Sequence, residues 1–289
     1  MNLKRLLPIG VQTFAKMRGN NYVYVDKTEH IYRMAATQGV YFLSRPRRFG
    51  KSLTVSTLQE LFEGNRPLFK GLWIEDKWDW SQTAPVIHFS FAKISYQGLG
   101  LERALVQELG FIAQKHAISL PNDDLKTNFQ ILIQTLHDRH GKVVILIDKY
   151  DKPIIDYLEN DKLDQAKANQ RIMKTFYSVL KDAKQYLQLL FITGVSKFAK
   201  VSIFSDLNHL KDLTLDPNFA TLVGYTQQEL ENNFDPELAA VAQFQSMNRE
   251  DLLKMIKEWY NGFSWDGVNR LYNPFGTLTF LSERIFTNH

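Results

Sequence analysis

The sequence has 289 residues, of which 44% are hydrophobic, 13% aromatic and 23% charged, enough for one large domain or two smaller ones and unlike a disordered chain. Thirty-five Lys and Arg against thirty-one Asp and Glu leave a net charge of +4, too small a surplus to mark a dedicated nucleic-acid binder without a basic stripe or a groove-reading element. No run approaches ~18 apolar residues, so no membrane-spanning helix is expected. Residues 1–8 lack the apolar stretch of a signal peptide, and the absence of cysteine excludes disulfides and zinc–thiolate sites and favours a reducing, cytoplasmic setting.

Taken in chain order, short apolar runs alternate with segments of helical spacing. Residues 39–44, with Val40, Tyr41, Phe42 and Leu43, read as a buried strand. A helix over 51–62 puts Leu53, Leu58, Leu61 and Phe62 on one face. Residues 85–91 read as a second strand, followed by helices over 101–116 and 125–139. The run 142–147 has no polar alternation and should be covered on both faces, as in a parallel sheet. A long helix over 162–183, a strand over 186–193 and a short fifth strand over 211–215 complete the alternation. It predicts an α/β/α sandwich with a mainly parallel sheet and right-handed crossovers over residues 1–221. From 222 to 289 the pattern turns helical. Thr226 and Glu229 form a capping box, Asn248 opens a helix over 248–259, and 278–286 reads as a helix without a stop signal. This region is expected to be a small helical lid whose core holds Trp259, Phe263, Trp265 and Tyr272, with the chain truncated near His289.

The segment Arg45-Pro46-Arg47-Arg48-Phe49-Gly50-Lys51-Ser52 follows a strand and opens a helix. Its end fits the phosphate-binding pattern G-x-x-x-x-G-K-[ST], except that Arg45 occupies the first Gly position. Gly50 permits the tight turn, the helix N-terminus adds partial positive charge, Lys51 would reach the β and γ phosphates, and Ser52 would ligate Mg²⁺. Val143-Val144-Ile145-Leu146-Ile147-Asp148 is an apolar strand ending in the carboxylate expected to hold the Mg²⁺ shell. The spacing between the two motifs suits the group of P-loop proteins that inserts a strand between the motif strands. Thr193, at the end of the next strand, can sense the γ-phosphate or position water, or simply form a turn with Gly194.

Together these segments make the sequence resemble the AAA-ATPase-like proteins common in Bacteroidetes and other anaerobes. The resemblance is carried by Arg45-Pro46-Arg47-Arg48-Phe49-Gly50-Lys51-Ser52-Leu53, by Leu7-Pro8-Ile9-Gly10-Val11-Gln12 and by Tyr24-Val25-Asp26-Lys27-Thr28. Asp148 with Tyr150-Asp151-Lys152-Pro153, then Thr193-Gly194-Val195-Ser196-Lys197-Phe198, continue it. Leu213-Thr214-Leu215-Asp216, Gly224-Tyr225-Thr226, Tyr260-Asn261-Gly262-Phe263 and Tyr272-Asn273-Pro274 complete it across essentially the whole chain. The family uses Arg where an ordinary P-loop has its first Gly. The resemblance implies a P-loop ATPase using ATP and Mg²⁺. Arg45 to Leu53 would be the nucleotide-binding loop, Ser52 and Asp148 the metal ligands, and Lys51, Asp148 and Thr193 the catalytic set. It also implies a following PD-(D/E)XK nuclease-like domain, through which nucleic acid would be a partner, and it leaves homo-oligomerisation open. Within these residues Asp182-Ala183-Lys184 has the D-x-K form but sits at a helix end without a partner acid, so the nuclease-like domain is expected beyond His289.

One departure stands out. The family's strand end reads Asp-Glu-Tyr-Asp-Lys-Pro, and the Glu would polarise the attacking water. Here the position is Lys149, whose ammonium has no lone pair to accept a proton and adds a cation near the γ-phosphate. Asp151 lies two residues on and can point elsewhere. An ATPase switch and a nucleotide-gated binding module that hydrolyses slowly are therefore both carried forward. Direct nucleic-acid binding through Arg45, Arg47 and Arg48 is disfavoured because a nucleotide would occupy that loop. A small-molecule kinase is disfavoured because neither an acceptor site nor an Arg-rich lid is evident.

Overall fold

The apolar runs ending at Asp148 and Gly194 lie side by side at the centre of one sheet. The computed structural model describes residues 5–121, 123–197, 203–204, 207 and 209–287. Residues 1–4, Phe198 and His289, used in reading the sequence, lie outside the described residues.

In chain order the elements are α1 (Phe14–Gly19), α2 (Thr28–Ala35), β1 (Gly39–Ser44), α3 (Lys51–Phe62), β2 (Val86–Ser90), α4 (Tyr96–Leu99) and α5 (Leu101–Lys115). Then come α6 (Leu125–His140), β3 (Val143–Asp148), α7 (Lys152–Ile155), α8 (Leu163–Asp182), β4 (Leu187–Gly194) and β5 (Lys211–Asp212). The chain continues through α9 (Gln227–Asn233), α10 (Asp235–Phe244), α11 (Arg249–Tyr260), the hairpin β6 (Phe263–Ser264) and β7 (Arg270–Leu271), and α12 (Pro274–Glu283). The five-stranded sheet runs β2-β3-β4-β1-β5 and every pairing in it is parallel. β4 therefore separates the two motif strands β1 and β3, as expected from their spacing.

The strands carry apolar residues at successive positions because both faces are covered. Phe42, Ile145, Ile147, Leu190 and Ile192 pack with α5, α6 and α8, where Phe129 and Phe176 stack with ring centroids 4.7 Å apart and Phe89 meets both edge-on. The alternate set, Tyr41, Leu43, Val144, Leu146, Leu189 and Phe191, packs under Leu58 and Leu61 of α3, Ile31 of α2 and Phe14 of α1. This is a three-layer α/β/α fold of the P-loop type. A third apolar cluster joins Leu230, Leu238, Leu252, Ile256, Tyr272 and Phe280 of the helical C-terminal region to Val23 and Val25. No helix among the described residues is long and apolar enough to cross a membrane.

Local signals explain several boundaries. Asp124 caps α6 by accepting from Thr127 N, and Asn248 caps α11 by accepting from Asp251 N. Thr226 and Glu229 form the full reciprocal capping box of α9. Two boundaries differ from expectation. The last helix begins at Pro274, where Asn273 accepts from Phe275 N and Gly276 N, and it ends before Phe286, where Arg284 turns left-handed at φ 62. β5 is only two residues long. Beyond it, Thr214 Oγ1 accepts from Ser44 N at 3.1 Å, and Asp212 folds back to accept from Thr214 N. Side chains thus take over the bonds that a longer ladder would make.

Candidate nucleotide site

The loop from Arg45 to Gly50 runs from the buried end of β1 into the first turn of α3. Gly50 has φ +100, a conformation open to glycine and strained for other residues. Lys51 is 6% exposed, and its Nζ donates to Arg45 O at 2.8 Å and Pro46 O at 2.7 Å. Burial pushes its pKa down to about 8, opposed by the charges of Asp148 and Asp151 and reinforced by Lys149 and Arg45. The loop thus closes on its own lysine, whose ammonium is held by neutral carbonyls.

Behind this loop the head of α3 meets the ends of β3 and β4. Ser52 Oγ donates to Asp148 Oδ2 at 2.7 Å, and Thr193 Oγ1 donates to Asp148 Oδ1 at 2.8 Å. The Lys149 amide lies 3.4 Å from Thr193 Oγ1. One buried carboxylate therefore gathers the hydroxyls at the head of α3 and the end of β4. The donor set, one carboxylate and neighbouring hydroxyls, is hard oxygen. No group of three or more His, Cys, Asp or Glu side chains among the described residues could cage a metal. These residues fit Mg²⁺, which keeps water and takes phosphate oxygens as ligands rather than an all-protein cage.

The acid two residues past Lys149 does point elsewhere. Asp151 is 1% exposed, and its Oδ2 accepts from Val195 N, Ser196 N and Ser196 Oγ, each at 2.8 Å. It pins the turn that leaves β4. Asp156, the other carboxylate on the wall of the cleft among the described residues, pairs with Lys152 and accepts from Tyr96 Oη at 2.7 Å. Lys149 itself sits at φ 61, half-buried on the cleft wall.

The cleft has a volume of about 560 Å³, within the usual range for small-molecule sites. Arg47, Arg48, Phe49, Gly50, Lys51, Ser52 and Leu53 all contribute to its wall, whereas Arg45 and Pro46 do not. The Arg45 side chain is 1% exposed and turns away from the cleft. Its Nη1 donates to Thr214 O at 2.6 Å and Ser44 O at 3.0 Å, and its guanidinium lies 4.3 Å from the centre of the Trp265 ring. Burial pushes its pKa down to about 10 against the pull of Asp212. The opposite wall comes from two distant segments, Pro8 to Gln12 and the helical region's Tyr225, Phe275 and Leu278. Lys27, also on the wall, ties the chain before α2 to the start of the helical region, donating to both carboxylate oxygens of Glu229 at 2.6 and 2.7 Å and to Thr221 O.

The loop is also gripped from the C-terminal side. Arg48, at φ 66, stacks its guanidinium 3.8 Å from the Phe275 ring centre. Phe49 meets Phe263 edge-on at 4.7 Å and Trp265 at 6.0 Å, and its carbonyl accepts from Gly224 N. A Cβ at Gly224 would sit 3.2 Å from the Phe49 ring, so this approach needs glycine. Phe263 and Trp265 therefore pack on the loop before α3, not in the core of the helical region as their sequence position suggested. Tyr272 does occupy that core, while Trp259 is 46% exposed. Sequence reasoning missed the role of Phe275, and no local pattern announces it.

A protein of Azotobacter chroococcum mcd 1, described as an uncharacterized protein in the vnfD 5′ region, is 41% identical over 286 residues, covering 98% of this chain and 53% of that protein. The chain thus spans about half the length of the curated relative it matches. No solved structure matches it. The profile of a family described as Predicted AAA-ATPase matches residues 8–204, more than half of the chain. With its parallel sheet, its Gly-Lys-Ser loop and its buried strand-end carboxylate, the chain belongs to that family of nucleotide-binding, ATPase-like modules.

Proposed function

We propose that the cleft binds Mg²⁺-ATP and that this chain hydrolyses it slowly. The observation that carries the reading is the meeting of Ser52 and Thr193 on the single buried Asp148 carboxylate, directly behind Lys51. In this reading Lys51 exchanges its two carbonyl partners for phosphate oxygens. The amides of residues 47–52 at the head of α3 face the same anion. Ser52 and Asp148 hold the metal, and Thr193 keeps Asp148 oriented. Mg²⁺, when bound, neutralises charge on the phosphate oxygens.

Slow turnover follows from which groups remain able to accept a proton from water. Lys149 occupies the position where the family's Glu would act, and it is a cation. Asp151 is turned away by two amides and a hydroxyl on its Oδ2, and Asp156 is tied through its Oδ2 to Lys152 and Tyr96. The removal of a general base typically forfeits ~10²–10⁴ in rate.

We also assign residues 1–221 to the nucleotide-binding domain and 222–289 to a lid. The contacts of Arg45, Arg48 and Phe49 with Trp265, Phe275 and Phe263 support a lid that senses the loop directly. A second reading, a nucleotide-gated regulatory module serving a nuclease-like domain on nucleic acid, is favoured by Lys149 and by the greater length of the relative. A cytoplasmic setting fits the cysteine-free composition. Calorimetry with ATP, ADP and a non-hydrolysable analogue, with and without Mg²⁺, tests binding, and phosphate release on the same sample tests turnover. Absence of ATP binding refutes the site. Phosphate release at an ordinary ATPase rate, abolished by Lys51→Ala, refutes slow hydrolysis.

A further inference from the structure

The charges around the cleft do not balance, and the imbalance lies at its phosphate end. Six cations contribute to the wall: Lys27, Arg47, Arg48, Lys51, Lys149 and Lys152. Lys27 is neutralised by Glu229 and Lys152 by Asp156. Lys51 is held by carbonyls with the Asp148 and Asp151 charges nearby, and Arg48 by an aromatic face. Arg47 and Lys149 make no ion pair or side-chain hydrogen bond with any described residue. Asp151, the remaining wall carboxylate, is turned to the amides after β4.

Lys149 is held in this place by its backbone. It follows the metal-site carboxylate Asp148 directly and takes a left-handed turn at φ 61, with its amide toward Thr193 Oγ1. It lines the same cleft as Arg47, Lys51 and Ser52. With Arg47, the Lys149 ammonium leaves two unpaired positive charges on the wall, the same amount that a divalent cation brings. A nucleoside triphosphate without metal is a polyanion whose binding is limited chiefly by that charge.

We propose that Lys149 is a phosphate contact that stands in for the metal's charge, so that the cleft takes nucleoside triphosphate in its metal-free form and prefers it to the diphosphate. The inference rests on the phosphate site proposed above. It goes beyond that site by naming the ionic form of the ligand and the residue that selects it. The ammonium acts on the terminal phosphate, whereas Ser52 and Asp148 remain able to hold Mg²⁺ when it is present.

The test is calorimetric titration of the full chain with ATP and with ADP, each in Mg²⁺ and in EDTA. The variants are Lys149→Gln, which removes the charge, Lys149→Arg, which keeps it, and Lys51→Ala, which probes the site itself. The unmodified chain should lose less than about tenfold in ATP affinity when the metal is chelated. Lys149→Gln should weaken ATP in EDTA by about tenfold or more, the value of one charge-assisted hydrogen bond. Its effect should be smaller in Mg²⁺ and smaller on ADP, and Lys149→Arg should retain most of the affinity. Two results would overturn the proposal while leaving the site intact. One is ATP binding that depends on Lys51 but vanishes in EDTA; the other is a Lys149→Gln chain equal to the unmodified one in EDTA. ATP affinity unchanged in Lys51→Ala, or no binding in either condition, overturns the site and this inference together. Thermal melts of each variant separate lost contacts from lost folding.

Discussion

Replacing Lys51 by Met should stabilise the ligand-free protein and nearly abolish its affinity for ATP. Lys51 is 6% exposed and burial lowers its pKa from 10.5 to about 8. At 1.36 kcal/mol per pKa unit this displacement corresponds to ~3 kcal/mol of cost for holding the charged form in the fold. The sign follows from proton counting. Between pH 8 and 10.5 the unfolded chain binds a proton that the folded chain does not, so the cost is fully present below about 8 and fades as pH rises towards 10.5. A Met of similar length removes the charge and fills the same space, but leaves Arg45 O and Pro46 O without the ammonium. Arg45 is buried and Pro46 half-buried, so leaving their carbonyls without this donor offsets part of the gain, and a net gain of ~1 kcal/mol should survive at neutral pH. For a large domain this is about 2–4 °C in Tm per kcal/mol. The same substitution removes charge-assisted hydrogen bonds to phosphate, ~1.5–3 kcal/mol each, and should weaken ATP by at least ~10²-fold. Thermal melts at pH 7 and at pH 9 to 10, beside calorimetric titration with Mg²⁺-ATP, read both effects. A Lys51→Met chain that melts lower than the unmodified one at pH 7, or whose gain does not shrink with rising pH, would refute the account of Lys51 as a strained cation. Intact ATP affinity would refute its role in the site.

Three further outcomes are expected. At saturating Mg²⁺-ATP, Lys149→Glu should raise phosphate release by ~10²–10⁴, because a restored base acts on the barrier; no change in kcat would mean that catalysis uses another group. Asp148→Asn should weaken ATP binding in Mg²⁺ more than in EDTA, and equal losses in both would remove Asp148 from the metal site. Arg48→Ala and Phe275→Leu, combined in a double-mutant cycle read by thermal unfolding, should show a coupling of ~0.5–1 kcal/mol from the guanidinium–ring stack. The coupling should change when ATP is added, and a coupling indifferent to nucleotide would speak against a lid that senses the loop.

What could be read from residues alone was whatever depends on near neighbours in sequence. The unbroken apolar run before Asp148 announced a strand covered on both faces, and β3 is buried at every position. Gly50-Lys51-Ser52 between a strand and a helix announced the tight turn that opens α3, because a left-handed turn and a helix start are local events. The Thr226 and Glu229 capping box and the Asn248 cap form as their spacing required. Helices α1, α2 and α10 were not legible, since their apolar faces are short and gain meaning only against the sheet or the third cluster. Arg45 was placed at the phosphates by its position in the motif. Its side chain has the length to reach Thr214 and Trp265 instead, and only packing against residues 169 and 220 positions away decides which way it turns. The same holds for Asp151, whose sequence position leaves its direction open until β4 brings the amides of Val195 and Ser196 within 2.8 Å. Periodicity and turn chemistry act over a few residues. The walls of the cleft join Pro8, Lys51, Lys149 and Phe275, which only the assembled sheet and the third cluster bring together.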